Sequence, residues 1–160
     1  MDSFRLVSID SNAADRLRCG GGPTYVADEK PGYPYRQCLR DAEIGEELVL
    51  VSYDPFDQDS PYRSASPIFL HLHPCEEAAP SAALPSQLTG RQLSVRAFDH
   101  NAMMTDAAII DGAELATNLD RLFGNENTPI ASTSTSTTPA AAVGPSQPSE
   151  RKTSVRRKCR

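Results

Sequence analysis

The sequence has no tryptophan, few aromatic residues of any kind (6%), and four cysteines among 160 residues. No stretch approaches the ~18 consecutive apolar residues of a membrane-spanning helix. Met1–Arg5 has neither the basic start nor the apolar core of a secretion signal, so the expectation is a soluble, cytoplasmic protein that makes no membrane contact. The cysteines, Cys19, Cys38, Cys75 and Cys159, are widely and irregularly spaced, with no Cys-x-x-Cys pair. Without a secretion signal such spacing argues against a disulfide framework. Free thiols are the expectation, with a shared metal or redox site as the alternative. Also missing are a Gly-x-Ser-x-Gly elbow, a P-loop, a dinucleotide fingerprint and a His-Glu-x-x-His pair. Gly20-Gly21-Gly22 is not followed by Lys-Ser/Thr, which makes it a turn rather than a phosphate cradle.

What charge there is lies unevenly. The chain carries 16 basic and 21 acidic residues, a formal net charge of −5. Residues 132–160 hold six of the basic residues and one acid, leaving ten basic against twenty acidic residues in the body. An acidic body argues against nucleic acid as the partner of the folded part. The basic end has no interleaved aromatics and is a weak signal for any polyanion.

Periodicity marks several elements. Phe4–Ile9 alternates imperfectly and reads as an opening strand. Residues 10–46 are rich in turn formers, and Pro31 and Pro34 keep any long helix from running through 31–35. Glu47–Tyr53 is a continuous apolar run suited to a central strand buried on both faces. Pro67–His73 is the next strand, and residues 78–90 form an Ala/Pro/Ser-rich connection. Leu93–Phe98 and Met103–Ile110 flank the turn Asp99–Ala102 and predict a hairpin. A helix opens at Asp111, which can cap its first turn, with Glu114 three residues on. Leu115, Leu119, Leu122 and Phe123 then form one apolar stripe, and Gly124 ends it. The expected class is α+β: a small, mostly antiparallel sheet, one covering amphipathic helix, long loops and a disordered C-terminal tail. The expected organisation is a single domain over residues 1–131 and a Ser/Thr/Ala/Pro-rich basic tail over 132–160.

Several segments, in order, resemble the domain-of-unknown-function family 1203. They are Pro31-Gly32-Tyr33-Pro34-Tyr35-Arg36, Leu39-Arg40-Asp41-Ala42, Gly45-Glu46, Ser60-Pro61-Tyr62-Arg63, Pro67-Ile68-Phe69, Arg91–Ala97 and Asp106-Ala107. The resemblance implies a shared fold and no activity. The sequence departs from the family pattern in two places. Tyr35-Arg36 stands where the pattern has Cys-Arg, with Cys38 two residues beyond Arg36. The family's closing strand, of the form Tyr-Ile-His-Val-His-Asn-Ala followed by Gly-Cys, is replaced here by a Ser/Thr repeat. With Ser as TCx and Thr as ACx across 132–138, a reading frame one base earlier runs xTC, xAC, xTC, xAC. That frame permits Val-Tyr-Ile-His-Val-His-Asn-Ala. Residues from about 132 are therefore read as an out-of-frame tail, with a genuine Ser/Thr-rich linker as the alternative; the out-of-frame reading would leave the sheet short of a strand and expose an edge.

Two constellations offer chemistry. His71 and His73 would share a strand face with Cys75 close behind, and imidazole and thiolate are ligand types for zinc. Arg36, Asp41, Glu46, Tyr62, Arg63 and Arg96 lie at loop ends, as ion pairs holding loops to the sheet or as a pocket for a small anion. The leading expectation is a domain that binds a small molecule or a protein partner. The alternatives are a small metal- or thiol-dependent enzyme at the His71/His73/Cys75 strand end, and an interaction module that pairs, with itself or a partner, through an open sheet edge.

Overall fold

In the computed structural model, residues 6–55, 59–79, 83–124 and 130–135 are described. The architecture is α+β, with two three-stranded antiparallel sheets rather than one. The first sheet has the order β1-β2-β3, built from Thr24–Val26, Glu47–Tyr53 and Ser66–His71. The second has the order β5-β4-β6, from Met104–Asp111, Gln92–Phe98 and Ile130–Thr135. Among the described residues no helix is long and apolar enough to cross a membrane.

Strand β2 is central and buried on both faces, as its continuous apolar run demands. Leu48 faces one cluster with Ala27, Tyr35 and Ala42. Val49 and Val51 face the other, with Ile68, Leu70, Ile9 and Ala14. That second face is covered by a helix, α1 (Ser11–Gly20), inside the segment expected to be turns. The Asp10 side chain accepts from the Ala13 N–H and caps its start, and Ala14 and Leu17 turn toward the sheet. Gly21, at φ +73°, ends the helix, and Gly22 sits where an added Cβ would lie 2.1 Å from the Leu50 carbonyl oxygen. The glycine run is thus a turn, as expected, and one made necessary by close backbone approach.

Phe4 and Arg5 of the expected opening strand lie outside the described residues. Of the described residues 6–9, only Leu6 makes a bridge. Ile9 is buried and its N–H donates to the Arg36 carbonyl, while Val7 remains 68% exposed.

The β4–β5 hairpin forms as its alternation predicts, with Leu93, Val95 and Ala97 inward. The Asp99 carboxylate accepts from the N–H groups of Asn101 and Met103 to close the turn. Asp111 accepts from the Ala113 N–H, a 3-10 turn covers Gly112–Glu114, and helix α3 runs Leu115–Phe123. Its stripe of Leu115, Leu119 and Leu122 is buried on Leu93, Val95, Ala97 and Ile110. Burying each such leucine contributes about 1.5–3 kcal/mol. A short helix, α2 (Ser86–Thr89), closes the same core through Leu88.

The second sheet is not short of a strand at β4. Strand β6 pairs along it from Phe98↔Ile130 to Leu93↔Thr135. It continues four residues past the boundary placed at 131, so Ser132–Thr135 are strand rather than tail. Backbone hydrogen bonding needs no apolar side chains, which is how a Ser/Thr repeat can complete a ladder. Residues 136–160 lie outside the described residues.

Candidate metal and thiol site

The site is assembled by the segment 33–42, which folds back on itself. The Tyr35 N–H donates to the Arg40 carbonyl and the Ala42 N–H to the Tyr33 carbonyl. Leu39 turns the tip at φ +55°. Tyr35 bridges to Phe69 of β3, so the arm lies along that strand and delivers Cys38 to its end. Strand β3 stops at His71, and the chain bends before Pro74 and returns Cys75 to the same place.

Cys38 Sγ, a His71 ring nitrogen and Cys75 Sγ all lie within 4.8 Å of one another. His71 Nε2 is 3.4 Å from Cys38 Sγ. A tetrahedral zinc ion with ordinary bond lengths spaces its ligand atoms about 3.5–3.8 Å apart, so the widest pair need draw in by about 1 Å at most. Cys38 and Cys75 are free thiols. All three cluster residues are half-buried, which leaves an approach for a further ligand.

The surroundings hold these groups in place. The Tyr35 ring stacks on His71, with centroids 3.6 Å apart at 21°. Arg40 lies 5.5 Å above the same tyrosine ring. Arg18 of α1 donates through Nε to the His71 carbonyl at 2.9 Å, and also to the Gln37 side-chain carbonyl. Gln37 is 1% exposed and ties three segments together. Its amide donates to the Cys75 carbonyl at 2.7 Å and to Ser11 Oγ, and its backbone carbonyl accepts from the Ala78 N–H at 2.7 Å. Burial, and then Arg40, hold the His71 imidazole below its ordinary pKa, which favours the neutral form a metal needs. Burial, with Cys38 beside it, pushes the Cys75 thiol up to about 11.

The expected same-face pair of histidines does not assemble. His73 lies beyond the end of β3 and is exposed, so period-two geometry no longer governs it. Cys38 takes its place in the cluster. Its partners lie 33 or more positions away in sequence, and no local spacing reveals them.

The six polar residues expected at loop ends disperse. Arg36 and Asp41 come together with a third residue, Arg91, whose guanidinium hydrogen-bonds Asp41 in a largely buried ion pair. Burial, and then Arg91, lower the pKa of Arg36. Glu46 instead pairs with Arg40, and its pKa is drawn down to about 2, first by the Arg40 hydrogen bonds. Arg63 pairs with Asp54 and Asp59. The Tyr62 ring lies edge-on to Phe98 at 6.2 Å. Arg96 is exposed on β4.

No curated protein and no solved structure matches the chain. A family model does match, over residues 32–138, a span that holds all three residues of the cluster and about two thirds of the chain. The chain belongs to the family described as Protein of unknown function (DUF1203).

Proposed function

We propose that this domain binds a borderline transition-metal ion, zinc foremost, through Cys38, His71 and Cys75, leaving a fourth position for water or a small ligand. The observation that carries the reading is the convergence of two thiols and an imidazole within 4.8 Å. Among the described residues this is the one group of three or more such side chains that meets in this way. Thiolate and imidazole together suit zinc and its neighbours rather than magnesium or calcium. A three-residue ligand set with an open position is the arrangement of catalytic zinc, whereas closed structural sites use four protein ligands. Tyr35, Arg18 and Gln37 hold the ligand-bearing segments from outside, the positioning that metal centres depend on.

The test is metal content and cobalt(II) spectroscopy on the purified full chain. The expected result is one ion per chain and a thiolate-to-cobalt charge-transfer band. Cys38→Ser, Cys75→Ser and His71→Ala should each lose it, and His73→Ala should keep it. A chain that retains no zinc or cobalt at neutral pH, or one in which His73→Ala is as damaging as His71→Ala, overturns the reading.

A second reading has its own observation. Arg91 hydrogen-bonds the Asp41 carboxylate, Arg36 lies near enough to feel both charges, and Arg91 Nε is buried with no hydrogen-bond acceptor. A small oxyanion would supply one. Inorganic phosphate should then raise the melting temperature of the wild-type chain and not of Arg91→Gln.

A further inference from the structure

We infer that Cys38 and Cys75 form a reversible intramolecular disulfide, and that this bond and the metal compete for the same two sulfurs. The inference deepens the metal reading and uses the same cluster, but the bond needs no metal to form. Its first support is proximity: both thiols are free and their sulfurs lie within 4.8 Å.

Its second support is the way their segments are joined. Gln37, adjacent to Cys38, bonds the Cys75 carbonyl at 2.7 Å through its side chain and the Ala78 N–H at 2.7 Å through its backbone. The Cys75 thiol also points to the Gln37 side-chain oxygen at 3.5 Å. The two cysteines therefore cannot drift apart without breaking a buried knot, which keeps their sulfurs near one another. Neither thiol is sealed in, since both are half-buried and open to a small oxidant. His71 Nε2 lies 3.4 Å from Cys38 Sγ, so the Cys38 sulfur sits at a polar contact and is taken as the attacking group.

The oxidant is a low-molecular-weight disulfide, RSSR. The Cys38 thiolate attacks one of its sulfurs, forming a mixed disulfide and releasing RS⁻. The Cys75 sulfur then attacks the Cys38 sulfur, its proton passing to the departing RS⁻, which closes the protein disulfide and releases the second RSH. Two protein thiols are oxidised, RSSR is reduced to two RSH, and the two thiol protons end on the products. With a metal bound, the same exchange uses up two of its three ligands, and the ion is released.

The experiment treats full-length protein, stripped of metal, with glutathione disulfide and maps it with trypsin under non-reducing conditions. Cleavage at Arg36, Arg40, Arg63 and Arg91 places Cys38 in the peptide 37–40 and Cys75 in the peptide 64–91. The expected product is these two peptides linked, lighter by two hydrogens than their sum and separated again by reductant. Zinc-loaded protein should react more slowly and release its zinc as the link forms. The Cys19→Ser/Cys159→Ser variant should give the same link; if it does not fold, the wild-type map assigns each cysteine on its own.

Glutathione found separately on Cys38 and Cys75, with no linked peptide, overturns the inference. If zinc binds normally and is still retained after oxidation, the inference fails while the metal reading stands. If the link forms in a chain that never binds zinc, the thiol pair stands and the metal reading fails.

Discussion

Glu46→Gln tests how the arm that carries Cys38 is held. The Glu46 carboxylate accepts from Arg40 twice, at 2.7 and 3.0 Å, from the Glu43 N–H at 2.9 Å and from the Tyr35 hydroxyl at 3.4 Å. An isosteric amide keeps the shape, loses the charge and turns a donor toward Arg40. Holding a carboxyl at about 2 rather than 4.5 corresponds to ~3 kcal/mol at full strength. The side chain keeps 30% of its surface in water, and exposed pairs are worth about 0.2–1 kcal/mol, so the expected loss is about 1–2 kcal/mol. The sign follows from the direction of the shift. A lowered folded-state pKa stabilises the fold above the unfolded value, and the gain is lost as pH falls from about 4.5 toward 2. Urea unfolding of both chains across that range is the assay. The difference between them should be largest near neutral pH and close toward zero as the wild-type carboxylate is protonated. A difference that stays constant with pH would refute the argument, because the charge would then play no part in it. Tyr35 touches both Glu46 and His71, so the variant should also weaken cobalt binding.

Further outcomes are expected. Leu119→Ala, at a position 5% exposed in the core of the second sheet, should cost about 2–5 kcal/mol by denaturant unfolding. Arg91→Gln strands Asp41 in a site where the two side chains are 20% and 10% exposed; breaking such pairs costs about 3–5 kcal/mol, and Arg36 alongside should reduce this to about 2–3. Arg63→Gln, in a pair whose arginine is 49% exposed, should cost under about 1 kcal/mol in the same assay. Sequencing the gene and its transcript across the codons for Pro129 to Gly144 should show the shifted frame, and an unchanged Ser/Thr frame would rule it out. In the observed register, the shifted frame's aliphatic residues at 132 and 134 would stand opposite Arg96 and Ser94, not opposite the buried Val95 and Leu93. A corrected chain should therefore pair β6 one residue out of the present register, since a single-residue slip exchanges the two faces of a strand.

Read alone, the sequence determined the elements whose signal is local. The apolar run at 47–53, the alternation on both sides of Asp99 and the leucine stripe from Leu115 to Leu122 each carry their own periodicity, and each formed within about a residue of its expected place. Helix α1 escaped because its apolar face is only Ala13, Ala14 and Leu17, next to a glycine run, and it is stable because β2 and β3 offer a surface to cover. Tertiary structure alone decided the site. His71 and Cys75 are near neighbours in the chain, but Cys38 reaches them only because its arm folds back at Leu39 and lies along β3. The same contacts decided that Arg91 completes the Arg36–Asp41 group while Glu46 turns to Arg40. Periodicity records which face of an element is buried. It carries no information about which distant segment will arrive there, because that depends on loop closure and on buried polar knots such as Gln37.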